Sequence, residues 1–165
     1  MEQIKLDLEG LFHQNIKIRS NVMPTIQKFG FESAQMDSLN REILKFDSSS
    51  LIIVEDILKN YGWLGSSEIG PLANQSIYLT IQHAQDDEIR KKYFPLLQAS
   101  ANKGESDLAD MATMHDRILV ESDKPQLYGT QSRMVDNELQ YYPIEDPKNV
   151  NKRRKAVGLN KISIK

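Results

Sequence analysis

The stretch "DSLNREILKFDSSSLIIVEDILKNYG", Asp37 to Gly62, decides the fold. Leu39, Ile43, Phe46, Ser50, Ile53 and Ile57 recur in it at steps of three and four, the spacing that brings side chains to one face of an α-helix. Asp37 or Ser38 is placed to cap the first turn. Asn60 and Gly62 close it, because both residue types tolerate the positive φ of a helix C-terminus.

The same spacing continues on either side. Upstream, Ile4, Leu8, Leu11, Phe12 and Ile18 predict a helix over residues 4–18, and Pro24 opens a short second helix or turn. Downstream, Ser66 or Ser67 caps a helix with Pro71 near its first turn, and Leu72, Ala73, Ile77, Leu79, Ile81 and Ala84 wrap much of its circumference. After Asp86 the run "DEIRKKYFPLLQASANKG" is helical by pattern, with Pro95 expected to kink it and Gly104 to end it. Ser106 is the expected cap of the next helix, in which Leu108, Met111, Ala112, His115 and Leu119 form one stripe. Beyond Pro125 the period shortens, and "GTQSRMVDNELQYYPIED" predicts a hairpin turning at Asp136-Asn137. Asp146-Pro147 then opens a basic helix that Gly158 ends.

The fold class that follows is mainly α, a single-domain helical bundle with a small C-terminal β-hairpin. Its expected parts are N-terminal helices over 1–36, a helical core over 37–122, a polar loop and hairpin over 123–146, and a basic helix and tail over 147–165. A length of 165 residues suits one core. Tyr61, Trp63 and Tyr93 are expected to fill that core.

Composition narrows the function classes. Cysteine is absent, which excludes disulfides, thiolate nucleophiles and cysteine metal sites. His13, His83 and His115 show no paired ligand spacing, so neither a metal nor another cofactor is expected. Phosphate-loop, dinucleotide and GxSxG patterns are missing as well. The first residues lack a basic, then apolar leader, and no run of about 18 apolar residues occurs, so the reading is a cytoplasmic protein with no membrane segment, or one whose export signal has been removed. Residues 148–165 carry seven Lys or Arg and no acid, which leaves 14 basic against 23 acidic residues elsewhere. Without interleaved aromatics such a tail is expected to dock on its own acidic body rather than on nucleic acid.

Polar residues at positions where apolar ones belong mark a candidate site. His83 follows Leu72, Ser76 and Leu79 at helical steps, with Gln82 beside it. Asp116 and Arg117 end an amphipathic helix; turned toward His83, the acid would hold one tautomer of a general base and the guanidinium would steady an anion. In "KPQLYGTQ", Gln126, Tyr128, Thr130 and Gln131 crowd neutral donors and acceptors around Gly129, which suits a neutral polar ligand. On composition alone it is as consistent with groups that satisfy one another and the backbone.

The motifs "YGWLG", "IQHAQ", "HDRIL", "KPQLYGTQ", "PIEDPKNVNKRR" and "GL" in this order resemble a bacterial family known as a domain of unknown function, over roughly residues 45 to 160. The resemblance implies a mostly helical fold and directs attention to Trp63, Gln82, His83, Asp116, Arg117, Gln126, Tyr128, Gly129, Thr130, Gln131, Arg153 and Arg154; it carries no activity. The chain departs from that pattern in "HQNIKIR", which keeps Arg19 without a neighbouring acid, and at Asp47, which serines follow.

Two functions follow as expectations. In one, His83, Asp116 and Arg117 act, and Gln82, Gln126, Tyr128 to Gln131 and Arg153 bind a small polar ligand, with metal-independent hydrolysis or group transfer as the chemistry if there is any. In the other the chain is a regulatory or toxin-neutralising interaction module, and these residues are an internal network. The residues leave open whether the chain is an enzyme and how many copies assemble.

Overall fold

A computed structural model describes residues 1–135 and 138–164. The chain is mostly helical, with one two-stranded antiparallel hairpin late in the sequence. It divides into two compact units, Met1–Gln85 and Asp86–Lys165.

The regular structure of the first unit is all helix among its described residues. Helix α1 spans Glu2–Arg19, α2 Val22–Phe29 and α3 Ala34–Tyr61; the single turn α4 covers Ser66–Ile69 and α5 covers Pro71–Gln82. α1 and α3 pack on α5 and on each other, and α2 lies along α3. Ile18, Met36, Leu39 and Phe46 form a core cluster, with Leu11, Val22, Ile26 and Ile43 against it. The apolar stripe of α3 therefore begins one turn before Leu39, at buried Met36. The cap moves with it: Ser33, not Asp37 or Ser38, accepts a hydrogen bond from Met36 N at 3.2 Å. Gly62 closes α3 at φ 73°, the positive φ that the sequence anticipates there. Gly70, at φ 83°, separates α4 from α5 and puts Pro71 at the first helical position, where its missing N–H costs nothing.

In the second unit α6 spans Asp87–Asn102 and packs against α7, Leu108–Glu121. α6 continues through Pro95 as one helix. The cap of α7 is Asp107, whose carboxylate accepts from Ala109 N, while Ser106 lies 2.8 Å from the Ser100 hydroxyl. Strands β1, Ser132–Val135, and β2, Glu138–Tyr141, pair with Met134 opposite Leu139. The expected turn at Asp136-Asn137 lies outside the described residues, as does Lys165 of the basic tail. A 3-10 turn at Pro147–Asn149 leads into α8, Val150–Ala156.

Two expectations about burial need correction. Tyr61 is 56% exposed rather than in the core, because the last turn of α3 turns it outward; Ile53, in the predicted stripe, is 42% exposed. Tyr93 is buried as expected and Trp63 half-buried. No helix among the described residues is long and apolar enough to cross a membrane.

Candidate functional site

The polar loop of the second unit is built around two side chains that no solvent reaches, Asp116 and Gln126. α7 places Asp116 in its third turn, facing the segment that follows the helix. The Asp116 carboxylate accepts from Leu127 N at 2.7 Å, Tyr128 N at 3.0 Å, Thr130 N at 3.0 Å and Thr130 Oγ1 at 2.9 Å. Burying a carboxylate is costly unless it is fully hydrogen-bonded, and here the loop supplies four donors.

Gln126 holds the other side of the loop. Its Nε2 donates to the carbonyls of Gln131 at 2.8 Å and Tyr142 at 3.0 Å, and its Oε1 accepts from Gln131 N at 2.8 Å. The Gln126 backbone joins in: its N–H donates to Pro143 O and its carbonyl accepts from Glu145 N, the pattern of an isolated parallel bridge to Ile144. One glutamine thus ties the start of the loop to both ends of the hairpin. Gln131 adds a bond from Nε2 to Thr130 Oγ1 at 3.0 Å.

The basic helix α8 closes the loop from below. Arg153 Nε donates to Leu127 O at 2.6 Å, and its Nη2 reaches the carbonyls of Glu145 and Asp146. Buried Arg154 donates through Nη1 to Tyr128 O at 2.7 Å and Gly129 O at 3.2 Å, and through Nε to Asn160 O at 2.5 Å. These two cations of the basic end are spent chiefly on carbonyls. The sequence suggested acidic partners, and among the described residues Asp146 pairs with Arg153 at 3.8 Å. Gly129 permits the close approach: its φ is +66°, and a Cβ there would meet Ile162 Cδ1 at 2.7 Å and Ile144 Cδ1 at 3.0 Å.

Among the predicted site residues, the second unit therefore brings together Asp116, Gln126, the backbone of Tyr128, Gly129, Thr130, Gln131 and Arg153. Arg117 is placed differently. Its Nε pairs with Glu121 Oε1 at 2.9 Å, the same carboxylate that holds buried Arg90 at 2.7 Å. Glu121, four residues after Arg117, stands at the spacing of a helical ion pair, and buried Arg90 is the member that the sequence did not single out; the burial of an arginine inside a charged run leaves no periodic signal. The phenol of half-buried Tyr128 makes no hydrogen bond among the described residues, and burial together with the Asp116 charge pushes its pKa up, against a smaller opposing effect of Arg153. His115 stacks on Phe94 with ring centres 4.8 Å apart, and burial pulls its pKa down.

His83 and Gln82 belong to the first unit, at the end of α5. His83 is half-buried, and its N–H continues the helix to Leu79 O at 3.1 Å. The first unit also holds a pair that the sequence left incomplete. Arg19 Nη2 contacts both oxygens of Asp47, at 2.9 and 2.8 Å, so its acid comes from α3, across 28 positions, rather than from a neighbour in "HQNIKIR". Burial raises the pKa of Asp47, and the Arg19 hydrogen bond and charge oppose that rise.

A model described as "Family of unknown function (DUF6624)" matches residues 15–164. The chain belongs to this family. No curated protein and no solved structure matches it. The DUF6624 match reaches farther toward the N-terminus than the motifs do, taking in Arg19 and all of α3.

Proposed function

We propose that this DUF6624 chain is a protein-interaction module in which the polar motif residues are scaffold. The observation that carries this reading is the Asp116 carboxylate, whose acceptors are all directed at the 127–130 loop. A general base or an orienting carboxylate needs a lone pair aimed at a partner in the reaction, whereas this one organises backbone. Gln126, Arg153 and Arg154 are used in the same way. What the scaffold holds in place is the hairpin, on which Met134 and Leu139 sit directly opposite each other at 64% and 60% exposure. An exposed apolar cross-strand pair on a rigidly anchored hairpin suits contact with another protein. Two of the cations of the basic end, Arg153 and Arg154, are engaged on backbone carbonyls, and the proposed partner is a protein, met in a bacterial cytoplasm.

Two measurements test this. Asp116→Asn and Gln126→Ala should lower the melting temperature and speed amide exchange at Tyr128 to Gln131. A photo-reactive side chain at Met134, introduced in the cells that encode the protein, should form a protein adduct that Leu139→Glu abolishes without altering the melting temperature. Network substitutions that leave loop exchange unchanged, or the absence of any adduct, would overturn the reading.

A second reading keeps a small polar ligand, with Arg117 and Tyr128 of the second unit as its contacts. It is favoured by the Tyr128 phenol and the two Nη groups of Arg117, which make no hydrogen bond among the described residues. Tyr128→Phe would then reduce ligand binding with the melting temperature held.

A further inference from the structure

The hairpin is two strands wide, so each strand has one edge that the other does not cover. Which backbone groups lie on that edge follows from the register. Tyr142 N donates to Gln131 O, and the two residues continue the ladder in which Ser132 faces Tyr141 and Met134 faces Leu139. Hydrogen-bonded and non-hydrogen-bonded pairs alternate in an antiparallel ladder. Arg133 with Gln140 and Val135 with Glu138 are therefore the bonded pairs. Leu139 and Tyr141, in the alternate pairs, turn their N–H and C=O groups away from β1. Two donor and acceptor sets are thus presented two residues apart, about 6.8 Å along the strand.

That edge does not face open solvent on a flat surface. A groove of about 730 Å³ runs along β2 and on to Ile144, with Pro147, Ser163 and Ile164 among the residues lining it. The volume is within the range of roughly 300–1,000 Å³ typical of ligand clefts. Its far wall is the segment after Gly158, which Asn151 fixes by donating to Ile162 O and accepting from Ile162 N, each at 2.9 Å. Tyr142, a lining residue, is in turn held under the Arg133 guanidinium at 5.4 Å. Among the described lining residues Glu138 alone carries a charge, at the end of β2 nearer the hairpin tip.

On the interaction-module reading, we infer that this groove takes an extended segment of a partner protein, which adds to the free edge of β2 and sets a basic side chain against Glu138. The backbone groups of Leu139 and Tyr141 supply the pairing, as in other cases where a peptide completes a sheet. Tyr142, Ile144 and Pro147 offer apolar contact to alternate side chains of the incoming strand. Glu138, with no basic residue beside it among the described lining residues, fixes which end of that strand carries the positive charge.

The test uses the full chain, isotope-labelled, and an acetylated, amidated hexapeptide of one arginine followed by alternating valine and threonine. Saturable shifts are expected at Leu139 and Tyr141, whose amide exchange should slow about tenfold or more as they acquire acceptors, while Gln140, already bonded, changes little. Leu139→Pro removes an outward N–H without removing a hairpin bond, and should weaken binding at least tenfold. Glu138→Lys should weaken it by a smaller factor that shrinks in high salt. A hexapeptide N-methylated at alternate positions should fail to bind the unaltered protein, which keeps the test sound if a variant misfolds. Binding of the methylated peptide, unaltered exchange at Leu139 and Tyr141, or no binding at all would overturn the inference. If the peptide fails while the Met134 adduct persists, this inference falls and the interaction reading stands; if loop exchange ignores Asp116→Asn, the interaction reading itself falls.

Discussion

Both the amide and the hydroxyl of Thr130 converge on one oxygen of Asp116, at 3.0 and 2.9 Å, so a single side-chain atom from α7 fixes the point where the polar loop turns into the hairpin. The two ends of this contact should differ in what their loss costs. Thr130→Val removes the hydroxyl's bond to the carboxylate and the one it accepts from Gln131 Nε2, and leaves the carboxylate three backbone donors, a loss of about 1–2 kcal/mol. Asp116→Asn turns an NH2 group toward backbone N–H groups and strands them, for about 3 kcal/mol. Urea denaturation, with amide exchange of residues 127–130 as the local measure, should rank the variants in that order.

Gly129 and Gly104 form a matched pair. Both have positive φ, +66° and +76°, but a Cβ at Gly104 meets nothing within 4 Å whereas one at Gly129 runs into Ile162 and Ile144. Gly104→Ala should cost only the backbone strain, about 1–2 kcal/mol. Gly129→Ala should cost more by the work of displacing Ile162 Cδ1. In an Ile162→Val background, which lacks that atom, the excess should shrink, and a thermal-denaturation cycle over the four proteins measures it. An excess that persisted unchanged would mean that the Gly129 backbone itself resists the change.

These contacts mark how far the sequence could be read. The helices were legible because Leu39, Phe46 and Ile57, or Ala73, Ile77 and Ile81, repeat at the helical period and are buried. Caps were less so: Ser106 and Asp107 are equally able to cap α7, and the choice falls to Asp107 because the Ser106 hydroxyl has a neighbour in Ser100. For the polar loop, composition announced many donors and acceptors but not their mates. Arg154 meets Tyr128 O across 26 positions and Asp116 meets Leu127 N across 11, and no local spacing rule encodes such pairs. Arg19 and Asp47 were both noticed, yet their pairing depends on how α1 lies on α3.

Asp110 gives a pH dependence whose sign is fixed. Burial, aided by the Asp107 charge, lifts its pKa from 3.8 to about 7. The folded state therefore holds a proton that the unfolded chain releases at lower pH. The stability this lends is complete below the unfolded value and is lost as pH rises through about 7. Asp110→Asn keeps the neutral shape at every pH. It should leave the melting temperature nearly unchanged near pH 4 and raise it near pH 8. Equal effects at both would show that Asp110 titrates normally.

The Arg19 and Asp47 pair runs on the same linkage with an added partner. Asp47 is 6% exposed and Arg19 25%, so the carboxylate bears most of the desolvation, and the guanidinium is what keeps its raised pKa from rising further. Removing Arg19 leaves an unpaired buried charge when Asp47 is ionised and a nearly neutral site when it is protonated. Arg19→Ala should therefore destabilise the chain more near pH 8 than near pH 4. Asp47→Asn alone should have a smaller pH dependence, and the double variant should show a coupling of about 1–3 kcal/mol that fades on acidification. A double-mutant cycle in urea at the two pH values measures this directly. A coupling independent of pH would mean that the contact acts through packing of α1 on α3 rather than through charge.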